Sequence, residues 1–218
     1  MPKRFELLVF DWDGTLMDSA AAIVASIQES CRDLGLPVPE RERAAHVIGL
    51  GLKDALAYAV PELPPSDYGR LVERYRHHYL ARDPDLELFP GMREMLAVLK
   101  QKGHMLAVAT GKTRAGMERV LEARQLKQYF DASRCADETH SKPHPAMLHE
   151  LMQELLIGPE ATLMIGDTAH DLQMAVNAGV PALAVSYGAH SRDGLTAFHP
   201  LACIDTPREL ASWLAKNA

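Results

Sequence analysis

Short apolar runs alternate with longer amphipathic segments along most of this chain. Residues 5–10 and the run MLAVAT at 105–110 are apolar enough to form buried strands. Between such runs, apolar residues recur every three or four positions, as expected for helices with one buried face; one example is Met92, Met95, Leu96 and Leu99. Strands that alternate with helices predict an α/β fold, in which a parallel sheet carries helices on both faces.

One interval breaks this alternation, because residues 19–85 read as helical throughout. A first helix has the apolar stripe Ile23, Ile27, Cys31 and Leu34, and further helices are predicted around 53–60 and 66–80. We therefore predict a helical insertion over residues 16–86 in an α/β core formed by 1–15 and 87–218. Hinges are expected near 16–19 and 86–90, and the insertion should lie over the strand ends where open α/β sheets bind ligands.

Composition narrows the class of partner. The 218 residues are 47% hydrophobic and 24% charged, with a formal net charge of −6 and a pI near 5.9. An acidic protein of this kind is neither a general nucleic-acid binder nor a ligand for anionic membranes, so a small-molecule substrate is expected. No apolar run approaches the ~18 residues of a membrane span. Cys31, Cys135 and Cys203 form no CxxC pair, which favours free thiols and a cytoplasmic protein. Monomer and homodimer both stay open.

The run FDWDGTLMDS at 10–19 is the strongest chemical signal. Asp11 and Asp13 lie on the loop that leaves the first strand and share one side if the backbone stays extended. Two acids so placed suit a division of labour, in which one attacks an electrophile or binds a metal and the other carries a proton. Thr15, with the permissive backbone of Gly14, offers donors to an anion. The alternative is an ordinary Asp-Gly turn.

Two further candidates follow predicted strands. Thr110 ends the 105–110 strand and precedes Gly111, a setting in which a hydroxyl and backbone N–H groups can hold phosphate oxygens. Alternatively, Thr110 caps the next helix. Lys142, in SKPHPAML, precedes a helix that a proline can start, so its charge is expected at the edge of the sheet. Alternatively, Lys142 is a surface lysine.

The run GDTAHD at 166–171 supplies two more carboxylates after another predicted strand. Asp167 and Asp171 are four residues apart, so they share one face where a helix opens. Together with Asp11 they offer the hard oxygen ligands that Mg²⁺ prefers, and a magnesium site is predicted. Ordinary helix capping by aspartate is the alternative.

In order and context, these motifs resemble those of the haloacid dehalogenase superfamily, and within it the phosphoglycolate-phosphatase-like branch, whose helical cap follows the first motif. The resemblance runs from about residue 5 to residue 185. It implies a Rossmann-like parallel sheet with an inserted all-helical cap domain, and hydrolysis of a phosphate monoester. The motifs that carry it are DWDGT at 11–15, Thr110, Lys142 and GDTAHD at 166–171.

The resemblance also implies a role for each acid. Asp11 would be the nucleophile that forms an aspartyl-phosphate, and Asp13 would be the acid and then the base. Mg²⁺ would be held by Asp11, the backbone carbonyl of Asp13 and Asp167, while Asp171 orients its water shell. The dehalogenases of the superfamily lack an acid at the position of Asp13, so its presence favours a phosphatase.

The phosphoryl oxygens would be stabilised by Thr110 and Lys142. The loop at 49–53 is the candidate substrate-facing loop, where Lys53 would bind a second anion such as the carboxylate of 2-phosphoglycolate, the best substrate guess. A solvated lysine is the alternative. No role is assigned to the histidines of the insertion, or to His170 and His190.

Three other functions stay open at this stage. They are a sugar-phosphate mutase, a pyrophosphatase or nucleotidase, and a regulatory relative without catalysis. The complete set of motif residues argues against the last of these, because a sensor has little need of it.

Overall fold

A six-stranded parallel sheet forms the centre of the computed structural model, which describes residues 3–218. The strands are β1 (Leu7–Phe10), β2 (Met105–Thr110), β3 (Ala132–Cys135), β4 (Thr162–Gly166), β5 (Ala182–Val185) and β6 (Cys203–Ile204). Their order in the sheet is β3-β2-β1-β4-β5-β6, so β1 lies inside, between β2 and β4. The predicted strand MLAVAT is β2, and the predicted α/β fold is confirmed.

Ten α-helices accompany the sheet within the described residues. Four of them, α1 (Ala20–Asp33), α2 (Arg41–His46), α3 (Leu52–Ala59) and α4 (Tyr68–Arg82), lie between β1 and β2 in the chain. The other six are α5 (Met92–Gln101), α6 (Arg114–Ala123), α7 (Ala146–Leu155), α8 (Ala169–Ala178), α9 (Arg192–Thr196) and α10 (Pro207–Asn217). None of the helices in residues 3–218 has the length and apolar character needed to span a membrane.

Both faces of the sheet are buried, as the continuous apolar run of β1 predicts. Leu7 and Val9 pack in one hydrophobic cluster with residues of α7 and α8. Leu8 and Phe10 point the other way and pack with residues of α5, α6 and α10. This alternation follows from the period of two along a strand. It holds the carboxyl end of β1 rigidly between two layers of helices.

The helical insertion has its own buried cluster, which includes Ile23, Ile27, Cys31 and Leu71. The two segments that connect it to the core lie side by side. Asp18 N donates to the Glu87 carbonyl at 3.0 Å, and Phe89 N donates to the Leu16 carbonyl at 3.0 Å. These paired segments come directly after the Asp11–Asp13 loop, and the domain boundaries at residues 16 and 86 stay a prediction.

Candidate active site

The loop after β1 turns sharply so that Asp11 and Asp13 face different neighbours. Gly14 has a φ of +88°, in the left-handed region where glycine is favoured. A Cβ atom at Gly14 would also overlap the Asp167 carboxylate. The turn is closed by Gly14 N, which donates to the Met17 carbonyl at 2.8 Å. Glycine here brings the β1 loop against the β4 loop.

Three carboxylates from these two loops and from α8 meet in one buried cluster. Asp11, Asp167 and Asp171 each offer an oxygen within 4.8 Å of the other two, and all three side chains are buried. Lys142 is also buried, and its Nζ lies 2.5 Å from Asp11 Oδ1 and 2.6 Å from Asp171 Oδ1. The predicted partners at the ends of separate strands are therefore brought together.

The cluster is short of positive charge. Burial raises the pKa of Asp11 well above its usual range, against the attraction of Lys142, and the neighbouring carboxylates raise it further. Burial together with Asp171 raises the pKa of Asp167 to about 7. Burial opposes the charge of Lys142, but Asp11 and Asp171 outweigh that effect and raise its pKa. One ammonium group thus faces three acids.

These residues fit a divalent cation. Asp11 Oδ2 is buried and has no hydrogen-bond partner among residues 3–218. Asp167 accepts hydrogen bonds from Thr15 Oγ1 and Ala189 N, both at 2.7 Å. Carboxylate oxygens held in this way are ligands suited to Mg²⁺, and a charge of 2+ would balance the excess of acids. Thr15 therefore orients an acid of the cluster, where the sequence suggested that it binds an anion.

Asp171 has two tasks at once. It is the third residue of α8, and it forms a capping box with the N-cap residue Thr168. Thr168 Oγ1 donates to Asp171 Oδ2 at 2.6 Å, while the other carboxylate oxygen meets Lys142. The alternative interpretation, helix capping, is therefore correct, and the same side chain also belongs to the acidic cluster.

Asp13 stands apart from the cluster and has different partners. Ser19 Oγ donates to Asp13 Oδ1 at 2.7 Å, and Lys112 Nζ lies 3.0 Å from the same oxygen. Lys112 Nζ also donates to the hydroxyl of Tyr79, on α4, at 2.8 Å. The side chain of Asp13 is thus aimed toward the insertion. Lys112 is not among the site residues predicted from the sequence, although it lies two residues after Thr110 in the same ATGK run.

Thr110 is buried at the end of β2, where its Oγ1 accepts a hydrogen bond from Lys112 N at 3.2 Å. It does not cap α6; that position belongs to Thr113, whose side chain accepts from Gly116 N. Gly111 follows and approaches the insertion so closely that a Cβ atom would overlap the Leu50 carbonyl. The hydroxyl and loop predicted to face phosphate are therefore at the edge of the sheet, under the insertion.

Lys53 lies elsewhere. It is exposed on the first turn of α3, outside the residues that line the cavity between insertion and core. Other members of its loop, Gly49, Leu50 and Leu52, do line that cavity. The lysine that lines it is Lys112. Binding of a substrate anion by Lys53 stays a prediction, without a contact to support it.

Three histidines join the insertion to the core, a group that the sequence analysis did not assemble. His170 and His190 each donate from Nε2 to the carbonyl of His46, at 2.7 and 3.2 Å. His190 Nδ1 accepts from Ala169 N at 3.0 Å, so its proton is on Nε2. Because His46 is 124 positions from His170, no local pattern reveals this contact.

The chain is similar to a known protein family and to several named proteins. A model of the family described as haloacid dehalogenase-like hydrolase matches residues 8–185. The chain is 40% identical over 211 residues to a protein named "Probable phosphatase IndB" from Dickeya dadantii, covering 94% of this chain and 91% of that one. It is 35% identical over 188 residues to a phosphoglycolate phosphatase from Agrobacterium fabrum, covering 84% and 81%.

A solved structure has the same fold. The crystal structure described as a predicted phosphatase from Clostridium acetobutylicum matches with a TM-score of 0.85 and 26% identity, covering 97% of this chain and 99% of that one. The matched residues 8–185 contain all four motifs, from the Asp11 loop to the Asp167 loop. The chain belongs to the haloacid dehalogenase-like hydrolase family, in its phosphoglycolate-phosphatase-like branch.

Proposed function

We propose that the protein is a magnesium-dependent phosphatase that hydrolyses a small phosphate monoester through a covalent intermediate on Asp11. The family and the relatives named as phosphatases support phosphatase activity. The observation that carries the mechanism is the buried pair of Asp11 and Lys142. Lys142 holds one oxygen of Asp11 at 2.5 Å, and the other oxygen has no partner within residues 3–218. A fixed carboxylate with one unengaged oxygen is suited to attack phosphorus.

In the first step, an oxygen of Asp11 forms a bond to phosphorus and the bond from phosphorus to the ester oxygen breaks. Asp13 gives its proton to that departing oxygen, which leaves as an alcohol. In the second step, water attacks phosphorus and the bond between phosphorus and Asp11 breaks. Asp13 takes the proton of this water and is ready for the next cycle. The hydrogen bond that it accepts from Ser19 and its ionic contact with Lys112 fix its position for both transfers.

Positive groups and donors around the phosphoryl oxygens come from other strands. The Lys142 ammonium and the Thr110 hydroxyl would stabilise the charge on these oxygens in the transition state. A bound Mg²⁺, held by Asp11, Asp167 and the backbone carbonyl of Asp13, would neutralise phosphate charge and align the ester for attack. Asp171 accepts a hydrogen bond from Thr168 Oγ1 and lies 2.6 Å from Lys142 Nζ, so it would hold this lysine beside Asp11 and orient the water shell of the ion.

The helical insertion would serve as a cap over this site. Its Tyr79, on α4, contacts Lys112, the partner of Asp13, and it meets the core through the His46 carbonyl and through the close approach of Leu50 to Gly111. Closure of such an insertion excludes water from the reaction, while opening admits the substrate. We place the hinges at the paired segments near residues 16–19 and 86–90.

The test is phosphate release from a panel of esters, with Mg²⁺ present and with Mg²⁺ removed by a chelator. The panel holds 2-phosphoglycolate, a sugar phosphate, a nucleotide, pyrophosphate and p-nitrophenyl phosphate. Asp11→Asn is the blank, because it keeps the size of the side chain but removes the nucleophile. Magnesium-dependent release that the blank lacks supports the proposal, provided that both proteins unfold at similar urea concentrations.

Other results would overturn it. Turnover by Asp11→Asn close to that of the unchanged protein would exclude the covalent mechanism. Transfer of phosphate between sugar positions without net release would indicate a mutase. Silence across the whole panel would favour a regulatory relative without catalysis.

A further inference from the structure

A cavity of about 170 Å³ lies between the helical insertion and the carboxyl edge of the sheet. The core contributes Asp13 and the loop from Gly111 to Thr113 to its wall. The insertion contributes a wall made mainly of aliphatic and aromatic side chains, among them Ile23, Ile27, Ile48, Leu50, Leu52 and Tyr75. The cavity therefore adjoins the group that protonates the leaving alcohol in the proposed function.

Three polar groups of this cavity, those of Asp13, Lys112 and Tyr79, contact one another. Lys112 Nζ contacts Asp13 Oδ1 at 3.0 Å and the Tyr79 hydroxyl at 2.8 Å, so its protons are directed at these two oxygens. Arg76 and Arg119 also line the cavity, but both are exposed, and Arg119 is paired with Asp83 at 3.2 Å. The two guanidinium groups are therefore exposed to solvent, whereas the wall that the insertion contributes is mainly apolar.

We propose that this cavity receives the leaving alcohol and selects phosphate monoesters whose leaving group is a compact apolar body, such as an aromatic ring. The inference rests on the proposed function. A cavity of about 150 Å³ lined by apolar side chains takes a benzene ring, so the volume suits a single ring. A leaving group with its own carboxylate would place a charge against this apolar wall, which is unfavourable. The pocket therefore disfavours the leaving group of 2-phosphoglycolate.

The Tyr79 hydroxyl can also donate a hydrogen bond to the leaving group. It accepts the hydrogen bond of Lys112, so its own proton stays available to a neutral oxygen on the substrate. Burial raises the pKa of Tyr79 to about 12, which keeps that proton in place at neutral pH. A leaving group with a ring and one neutral polar atom would pack its ring against the apolar wall and accept a hydrogen bond from Tyr79.

The test compares kcat/KM for benzyl phosphate and 2-phosphoglycolate with Mg²⁺ present. Both are esters of primary alcohols, so their intrinsic reactivities are similar, whereas their fit to the cavity differs. We expect benzyl phosphate to be preferred by at least about tenfold, as for a good apolar match in a pocket. Equal values, or a preference for 2-phosphoglycolate, would overturn the inference.

A second test places a positive charge in the apolar wall of the cavity. Leu52→Lys places an unpaired cation at the partly buried first position of α3, where the long side chain can adapt. The preference for benzyl phosphate should fall by about tenfold or more, because the new charge favours the carboxylate. Leu201→Lys is the matched control, since Leu201 is exposed in the segment before β6 and outside the cavity. An unchanged preference in folded Leu52→Lys would contradict the assignment.

Failure of this inference can be told from failure of the proposed function. Release of p-nitrophenol from its phosphate by the unchanged protein, absent in Asp11→Asn, reports the phosphatase alone. If that activity is present while 2-phosphoglycolate is the better ester, only the selectivity is wrong. If no ester is hydrolysed, both the proposed function and the inference are wrong.

Discussion

Two aspartates only two positions apart have different surroundings, which suits them to different chemistry. Asp11 is buried with two other carboxylates, and one of its oxygens has no partner in residues 3–218. Asp13 receives a hydroxyl and an ammonium group, from Ser19 and Lys112. Carboxylates with contrasting environments commonly divide the nucleophilic and proton-transfer roles of one reaction. The distinction follows from the turn at Gly14, which sends the two side chains to different neighbours.

A comparison of two esters with different leaving groups tests whether Asp13 transfers a proton or has another role. Asp13→Asn should lower kcat/KM for benzyl phosphate by about 10²–10⁴-fold, the usual contribution of a general acid. The loss for p-nitrophenyl phosphate should be much smaller, since its leaving phenolate departs without a proton. Steady-state rates for both esters give the comparison. Equal losses would show that Asp13 positions the substrate and does not protonate it.

The pH dependence of folding tests the neutral state of His190. Burial, together with the neighbouring His170, lowers the pKa of His190 to about 4. In the unfolded chain histidine titrates near pH 6.5. Between these values the unfolded chain binds more protons, so the free energy of unfolding should fall as the pH drops from about 6.5 to about 4. Above that window this histidine has no effect.

The measurement is urea unfolding at several pH values for the unchanged protein and for His190→Asn. Asparagine can still accept from Ala169 N but has no proton to gain in this range, so the variant should lose less stability toward acid. His149→Asn, which replaces an exposed histidine of α7, controls for the loss of one histidine. Parallel curves for the unchanged protein and His190→Asn would refute the prediction.

At the scale of an element, the first turn of α8 links helix stability to the site. Thr168→Ala removes the hydroxyl that caps α8 and also donates to Asp171. Unfolding should become easier by about 1 kcal/mol, the usual cost of a lost N-cap. Activity should fall as well, because Asp171 is released from its position beside Lys142. Urea unfolding and kcat/KM are measured on the same samples.

The N-cap residue of another helix, α10, provides the control. Thr206 caps α10 in the same way, accepting from Glu209 N at 3.2 Å. Thr206→Ala should cost a similar stability while kcat/KM stays unchanged. If the two variants lose activity equally, the cap of α8 affects the site only through global stability.

A helix or strand can be predicted from the sequence when its own residues carry a clear pattern of apolar positions. Strand β2 and helix α5 carry strong apolar patterns, and both are found where the sequence predicts them. Helix α2 has six residues, of which only Ala44 is buried, and β3 has the partly exposed sequence ASRC. Such short elements exist because of their neighbours and give no pattern of their own.

The same limit applies to the site. Asp11, Thr110, Lys142 and Asp167 each end a strand or precede a helix, so their meeting at one edge could be inferred from the parallel sheet. The contact of Lys112 with Tyr79 and that of His46 with two histidines join the insertion to the core. No short stretch of sequence specifies these contacts, because they depend on how the insertion and the core pack against each other.

At the scale of the whole molecule, the insertion meets the core at a few tight places. Gly51 N donates to Ser141 Oγ at 2.8 Å, and the Leu50 carbonyl passes directly over Gly111. The hydrophobic clusters of the two units are otherwise largely separate. We propose that an insertion held in this way moves as one body about its paired connections while the core keeps the acids in place.

Gly111→Ala tests whether activity requires this close approach. The added methyl group would overlap the Leu50 carbonyl, so the insertion has to sit further from the sheet. The acids on β1, β4 and α8 are untouched. We expect kcat/KM to fall by about 100-fold, as for a misplacement of about 1 Å, and the urea midpoint to fall as well, because the overlap is with backbone atoms of the insertion.

Gly69→Ala makes the same chemical change at an exposed position of α4 where a Cβ atom meets nothing within 4 Å. It should stabilise the protein by about 0.5–1 kcal/mol through helix propensity and leave kcat/KM unchanged. Comparison of the two variants therefore shows whether a change in activity comes from the close contact between insertion and core or from a change in the stability of the insertion. Full activity in Gly111→Ala would mean that catalysis proceeds with the insertion lifted, and the leaving-group cavity would then lose its wall.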